Sequence, residues 1–172
     1  MCLILIDCIC FQEVQKTIAL VIEHPGPCRT LADFLQEHQH LERRDARTLI
    51  QQIVKAAQAC TRQEICHHDI HNRNILVMGP PLHIKLIDFG CGMHIFHDPE
   101  NHPRPDIRIS PERAEKRTVN QLVDIVEDIA RHCSSIPTEF MAFMGTCWSP
   151  FNAEGEIQRT VEEILDQPWL RD

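Results

Sequence analysis

His67-His68-Asp69-Ile70-His71-Asn72-Arg73-Asn74, with Asp88-Phe89-Gly90 downstream, is the stretch on which the reading of the fold turns. Between the two motifs lie two short apolar runs, Ile75-Leu76-Val77 and Ile84-Lys85-Leu86-Ile87, divided by Gly79-Pro80-Pro81. Gly and Pro break regular structure and supply turns, so the pair reads as a β-hairpin. The side-chain oxygens of Asp69, Asn74 and Asp88 then sit on two loops joined by that hairpin. A site that needs several oxygen ligands or acceptors at one point can be built this way. A lone Asp-Phe-Gly is weak, but the two motifs in this order, with strands between them, are specific.

Working outward, Asp45 to Cys60 reads as a helix, because Ala46, Leu49, Ile50, Ile53, Val54, Ala57 and Cys60 recur at helical spacing. Leu31 to His38 reads as a shorter one. Toward the N-terminus, residues 2–10 and 17–23 are apolar, β-branched runs separated by polar residues, and read as an antiparallel pair ended by Pro25-Gly26-Pro27. Residues 91–111, rich in proline and charge, read as an ordered loop. Further helices are expected over Val119–Cys133, over Glu139–Trp148 and from Thr160, with Pro168-Trp169 closing the chain.

A chain of 172 residues, 43% apolar and 24% charged, is sized for one domain with a real core. The net charge of −8, with no basic cluster to offset it, argues against a nucleic-acid binder. The apolar runs are broken by Asp7, Glu23 or Asp88, so no membrane span is expected. Met1 to Ile6 lacks the basic residues of a signal peptide and reads as a strand. Nine irregularly spaced cysteines suit reduced thiols, hence a cytoplasmic or nuclear setting. Cys66, His67, His68 and His71, or Cys91, His94, His97 and His102, could be taken for metal clusters. Neither has a Cys-x-x-Cys knuckle, and neither is read as zinc-binding.

The two motifs resemble the catalytic loop and metal loop of protein kinases. The match narrows at Glu23-His24-Pro25-Gly26-Pro27, which is similar to the Glu-x-Pro-x-Pro hinge of the Pim family of serine/threonine kinases. Lys85 to Gly92 and Val161 to Trp169 also look like Pim. The resemblance implies an α+β, protein-kinase-like fold: a mostly helical C-lobe with a remnant of the N-lobe sheet. It divides a partial kinase domain, 1–172, into an N-lobe strand remnant (1–23), a hinge (24–30) and a C-lobe (31–172). It implies ATP and Mg²⁺, with Asp69 accepting the proton of a protein hydroxyl and Asn74 and Asp88 holding metal. Glu23 and Pro25 would frame the adenine, Leu76 and Ile87 would lie under it, and Asp33 would approach the ribose. Pro25, without an N–H, would leave the hinge one donor short. Ser110-Pro111-Glu112 looks like the end of an activation segment, with Arg159 as partner of Glu112.

The sequence also departs from that pattern. No Gly-rich phosphate loop or N-lobe lysine with its partner Glu is present, and Lys16 is the only lysine before Lys55. The usual Arg before the catalytic Asp is His68, and residues 91–109 contain no Ser, Thr or Tyr, so no phosphorylation switch is expected there. The catalytic-loop lysine is His71, a cation only when protonated. The interval after Glu112 is short, and Val119–Cys133 is the helix left to anchor the catalytic loop. Two expectations follow. One is a Pim-like kinase acting on Ser/Thr of protein substrates. The other is a pseudokinase or kinase fragment that serves as a binding or regulatory module. A monomer is expected, with the unpaired N-lobe strand edge as the place for a partner.

Overall fold

The computed structural model describes residues 8–14, 17–97, 104–133, 138, 141–143, 145 and 160–171, up to residue 20 as backbone only. Strands β1 (Cys8–Val14) and β2 (Thr17–Ile22) form an antiparallel pair that closes at Val14↔Thr17. The first strand therefore runs through Gln12 and Glu13, which the apolar pattern had placed outside it. Ladder hydrogen bonds are made by the backbone and tolerate polar side chains on a strand. The expected strand over residues 2–7 and the position of Lys16 lie outside the described residues.

A second sheet has the order β3-β5-β6, with β3 (Arg29–Thr30), β5 (Ile75–Met78) and β6 (His83–Leu86) all antiparallel neighbours. β5 and β6 are the predicted hairpin, with Leu76 opposite Lys85. Gly79 turns it at φ +135°, where a Cβ would meet the Pro81 carbonyl oxygen at 2.3 Å, so only glycine fits. Ile75, Val77, Ile84 and Leu86 are buried, while Leu76 and Lys85 between them are half-buried. Alternation thus gives the hairpin one core face and one open face.

The core face rests on helix α2 (Arg43–Arg62), which buries all seven residues of the predicted stripe and Ala56 besides. Helix α1 (Leu31–Glu37) precedes it, capped by the Thr30 hydroxyl, which accepts from the Asp33 N–H at 3.1 Å. Helix α3 (Pro111–Arg131) packs along α2 and begins eight residues before the expected start. Ser110 caps it and Pro111 opens it, the favoured place for a residue with no N–H to offer. Ser110-Pro111-Glu112 is therefore helix start as well as loop end. The short helices α4 (Val161–Leu165) and α5 (Pro168–Arg171) close the core with Ile164, Trp169 and Leu170. Trp169 stacks on Phe143 at 5.2 Å between ring centres. The helix expected over 139–148 is seen at 141–143 and 145, and its remainder lies outside the described residues.

Within the expected loop over 91–111, the described residues 91–97 and 104–111 include strands. A third sheet, β4-β7-β8, joins β4 (Ile65–Cys66), β7 (Met93–Ile95) and β8 (Arg108–Ile109). β7 and β8 are two or three residues long, too short for alternation to show in the sequence. Cys66, Ile109 and Ala114 form a small apolar cluster beneath them.

Candidate functional site

The catalytic loop leaves β4 at His67 and enters β5 at Ile75. His67 is 1% exposed and fixes the first part of the loop. Its Nδ1 accepts the Asp69 N–H (3.3 Å), so its other nitrogen, Nε2, donates to the Ile87 carbonyl (2.9 Å). The ring also packs on Phe89 at 4.4 Å. Burial pushes the His67 pKa below the usual imidazole value, against the opposing pull of the Ile87 carbonyl, Asp69 and Asp88. A neutral His67 therefore ties the Asp69 backbone to the strand leading into Asp88.

His68 has the left-handed backbone angle φ +67°, uncommon for a residue with a Cβ and costing about 1–2 kcal/mol. It persists because α3 holds its carbonyl: Gln121 Nε2 donates to it at 3.0 Å and Arg117 Nη2 at 3.4 Å. Gln121 Oε1 also accepts the Ile70 N–H at 3.2 Å, and Asp128 Oδ2 accepts from Asn72 Nδ2 at 2.9 Å. The anchoring helix that the sequence demanded is α3.

Asp69 and Asn74 meet. Asn74 Nδ2 donates to the Asp69 carbonyl (3.0 Å) and to Asp69 Oδ2 (3.2 Å). That commits the amide nitrogen to Asp69 and leaves the carbonyl oxygen Oδ1 as the end suited to a cation. His71 Nδ1 accepts the Arg73 N–H at 3.1 Å, so Nε2 carries the hydrogen and lies 3.6 Å from Asp69 Oδ2. The metal loop is one hydrogen bond away, because the Ile87 N–H donates to the Asn74 carbonyl at 2.9 Å.

Asp88 is also left-handed, at φ +64°, and its Oδ1 accepts the Gly90 N–H at 3.1 Å. A Cβ on Gly90 would sit 3.0 Å from that oxygen, a tight contact that would push the Asp88 carboxylate aside. Asp88 remains exposed to solvent. Among the described residues no group of three or more His, Cys, Asp or Glu is placed to hold a metal ion. Asn74 and Asp88, one amide oxygen and one carboxylate, fit Mg²⁺, which takes few protein ligands and completes its shell with phosphates and water.

Of the remaining candidates, Leu76 lies on the open face of the hairpin, and Glu23 meets that face through Lys85. Leu76 stands between Thr30 and Lys85 in register, and Ile87 follows two residues after Lys85, half-buried. Pro25 is half-buried and Glu23 pairs with Lys85, an ion pair that joins hinge to floor. Asp33 stands apart from the catalytic loop in the first turn of α1. Its Oδ2 accepts from the Thr30 hydroxyl at 2.6 Å, so one carboxylate oxygen is already engaged. The Ala32 N–H donates to the Asn72 carbonyl at 3.1 Å and links that turn to the catalytic loop. Arg159, the expected partner of Glu112, lies outside the described residues.

Sequence reasoning missed Lys85, Gln121 and Asp128. Gln121 and Asp128 flank the apolar stripe of α3, where a polar residue looks like any solvated position. Lys85 had one signal, a charge at an alternating position in an otherwise apolar strand.

The sequence profile of the protein kinase domain matches residues 3–125. The chain is 41% identical over 82 residues to serine/threonine-protein kinase pim-2 of Danio rerio, covering 48% of this chain and 26% of that protein. It is 34% identical over 76 residues to the carbon catabolite-derepressing protein kinase of Saccharomyces cerevisiae, covering 44% of this chain and 12% of that one. The matched stretch is thus about a quarter or less of either relative's length. With the profile match spanning most of its length, the chain belongs to the protein kinase domain family, and over part of that length it is similar to a Pim kinase.

Proposed function

We propose that this chain carries the catalytic floor of a Pim-like serine/threonine kinase that transfers the ATP γ-phosphate to a Ser or Thr hydroxyl of a protein. The observation that carries the reading is the Asn74 amide, which donates to Asp69 through its nitrogen and so keeps its oxygen for a cation. Asp69 takes the proton of the attacking hydroxyl. The new O–P bond forms as the bond to the β-phosphate oxygen breaks, and ADP leaves. Mg²⁺, when bound, neutralises charge on the phosphates. Asn74 and Asp88 would hold it, and His71, when protonated, adds a positive charge near Asp69. Leu76 and Ile87 offer an apolar floor to adenine, Glu23 and Pro25 its edge, and Asp33 a carboxylate for the ribose. In this reading residues 1–23 are N-lobe strands, 24–30 the hinge and 31–172 the C-lobe. Free thiols at Cys28, Cys60, Cys66, Cys91 and Cys133 suit the cytoplasm or nucleus.

A second reading, a kinase-like binding module, is favoured by His68 and His71 at the positions of the family's Arg and Lys. Thermal unfolding with and without millimolar MgATP, run beside Asp88→Asn, separates the two. Ligand at 100 times its Kd stabilises by about 2.7 kcal/mol. A shift absent in Asp88→Asn, followed by phosphate transfer to a peptide, supports the kinase. A cooperative transition that MgATP leaves unmoved rejects it in favour of the module.

A further inference from the structure

We propose that Gln121 is a positioning residue for Asp69, its carboxamide clamping both peptide groups that flank that aspartate. The proposal rests on the phosphotransfer reading and adds to it the part that aims the base. Gln121 Nε2 donates to the His68 carbonyl at 3.0 Å, and Oε1 accepts the Ile70 N–H at 3.2 Å. Asp69 lies between the two bonded residues. A carboxamide makes both bonds because it carries a donor nitrogen and an acceptor oxygen on one planar group that does not titrate. His68 is left-handed, so its carbonyl is turned out of the ordinary path of the chain and must be met by a donor there. Arg117, one helical turn earlier, reaches the same carbonyl at 3.4 Å and shares that load.

The other ends of the segment are already held. Ile70 is 3% exposed, with its side chain in the core. The Asp69 N–H goes to His67, and Asn72 goes to Asp128 farther along α3. Gln121 therefore holds both peptide planes that carry Asp69, and each plane has one further bond, from the Asp69 N–H to His67 in the first and from Asn74 Nδ2 to the Asp69 carbonyl in the second. With those planes fixed, the single bond from Asn74 Nδ2 suffices to set the carboxylate.

The test uses the whole ¹⁵N-labelled chain with Gln121→Leu and Gln121→Glu. Native-state amide exchange at Ile70 is followed beside the amides of α2, and phosphate transfer is followed as kcat and KM for ATP. In Gln121→Leu, Ile70 exchange is expected to quicken by about tenfold or more, with α2 unchanged. The kcat is expected to fall by a similar factor at nearly constant KM, the pattern of a lost transition-state contact. Gln121→Glu keeps the acceptor and loses the donor at high pH, and regains a donor when its carboxyl is protonated. Its protection and kcat relative to wild type are expected to recover as pH falls, which a packing role would not produce. Unchanged Ile70 exchange in Gln121→Leu overturns the proposal, as does identical behaviour of the two variants at every pH. If Gln121→Leu does not fold, Gln121→Glu decides by its pH profile. A wild-type chain that transfers no phosphate rejects the kinase reading, and the exchange data then judge the clamp alone.

Discussion

Replacing Lys85 by Met removes the cation that ties the floor of the site to the hinge. The Lys85 side chain is 12% exposed and that of Glu23 26%, so the pair lies between a surface salt bridge and a buried one. Exposed pairs contribute about 0–1 kcal/mol, and breaking a buried pair costs about 3–5 kcal/mol because the survivor is stranded. Glu23 Oε1, the oxygen that faces the ammonium, is itself cut off from solvent. Lys85→Met is therefore expected to cost about 2 kcal/mol, most of it the desolvation of the Glu23 carboxylate. Glu23→Leu alone should cost about 1 kcal/mol, because the lysine stem lets its ammonium swing toward water. The double variant should lose less than the sum of the two, with a coupling of about 1–2 kcal/mol. Urea denaturation followed by circular dichroism measures all four corners of the cycle. Singles that add within about 0.3 kcal/mol would show that the two charges do not feel each other and would refute the reasoning.

Acid should weaken the fold through His67, whose pKa is held below the ordinary imidazole value of 6.5 by burial. Its contribution is complete above that value and is lost as pH falls below it, because the unfolded chain takes up the proton first, at up to about 1.4 kcal/mol per pH unit. Urea midpoints at pH 7.5 and 5.5 should therefore differ more in wild type than in His67→Phe. Cys28 and Cys91 are exposed and should react quickly with N-ethylmaleimide, read by mass spectrometry. Cys66 and Cys60, buried at 0% and 3% exposure, should wait for unfolding, the Cys66 thiol being further pushed up in pKa by burial. Leu49→Ala, at a 0% exposed position on α2 facing the core, should cost about 3 kcal/mol in the same urea assay.

Much of this protein was legible along the chain because the relevant physics is local. The stripe of α2 repeats at helical spacing, and every residue of it is buried. The hairpin is a pair of apolar runs around Gly79, and the spacing of Asp69, Asn74 and Asp88 follows from the loops at its ends. The first half of α3 was hidden for an energetic reason. Its buried residues are Ala114 and Thr118, which bury too little apolar surface to mark a face, and the residues between them are charged. The strands β7 and β8 were hidden by their length, since two or three residues cannot display alternation.

Only the tertiary structure paired Gln121 with His68 and Ile70, Asp128 with Asn72, and Lys85 with Glu23. Each joins residues far apart in sequence, and each uses a polar side chain that looks like ordinary surface until the backbone brings its partner within 4 Å. The sequence by itself determined that Asp69, Asn74 and Asp88 sit on loops at the ends of one hairpin, because motif spacing along a strand and its loops is a local property. What holds those groups still was decided by the packing of α3 against the catalytic loop. A hydrogen bond depends on position in space, and a linear pattern does not contain it.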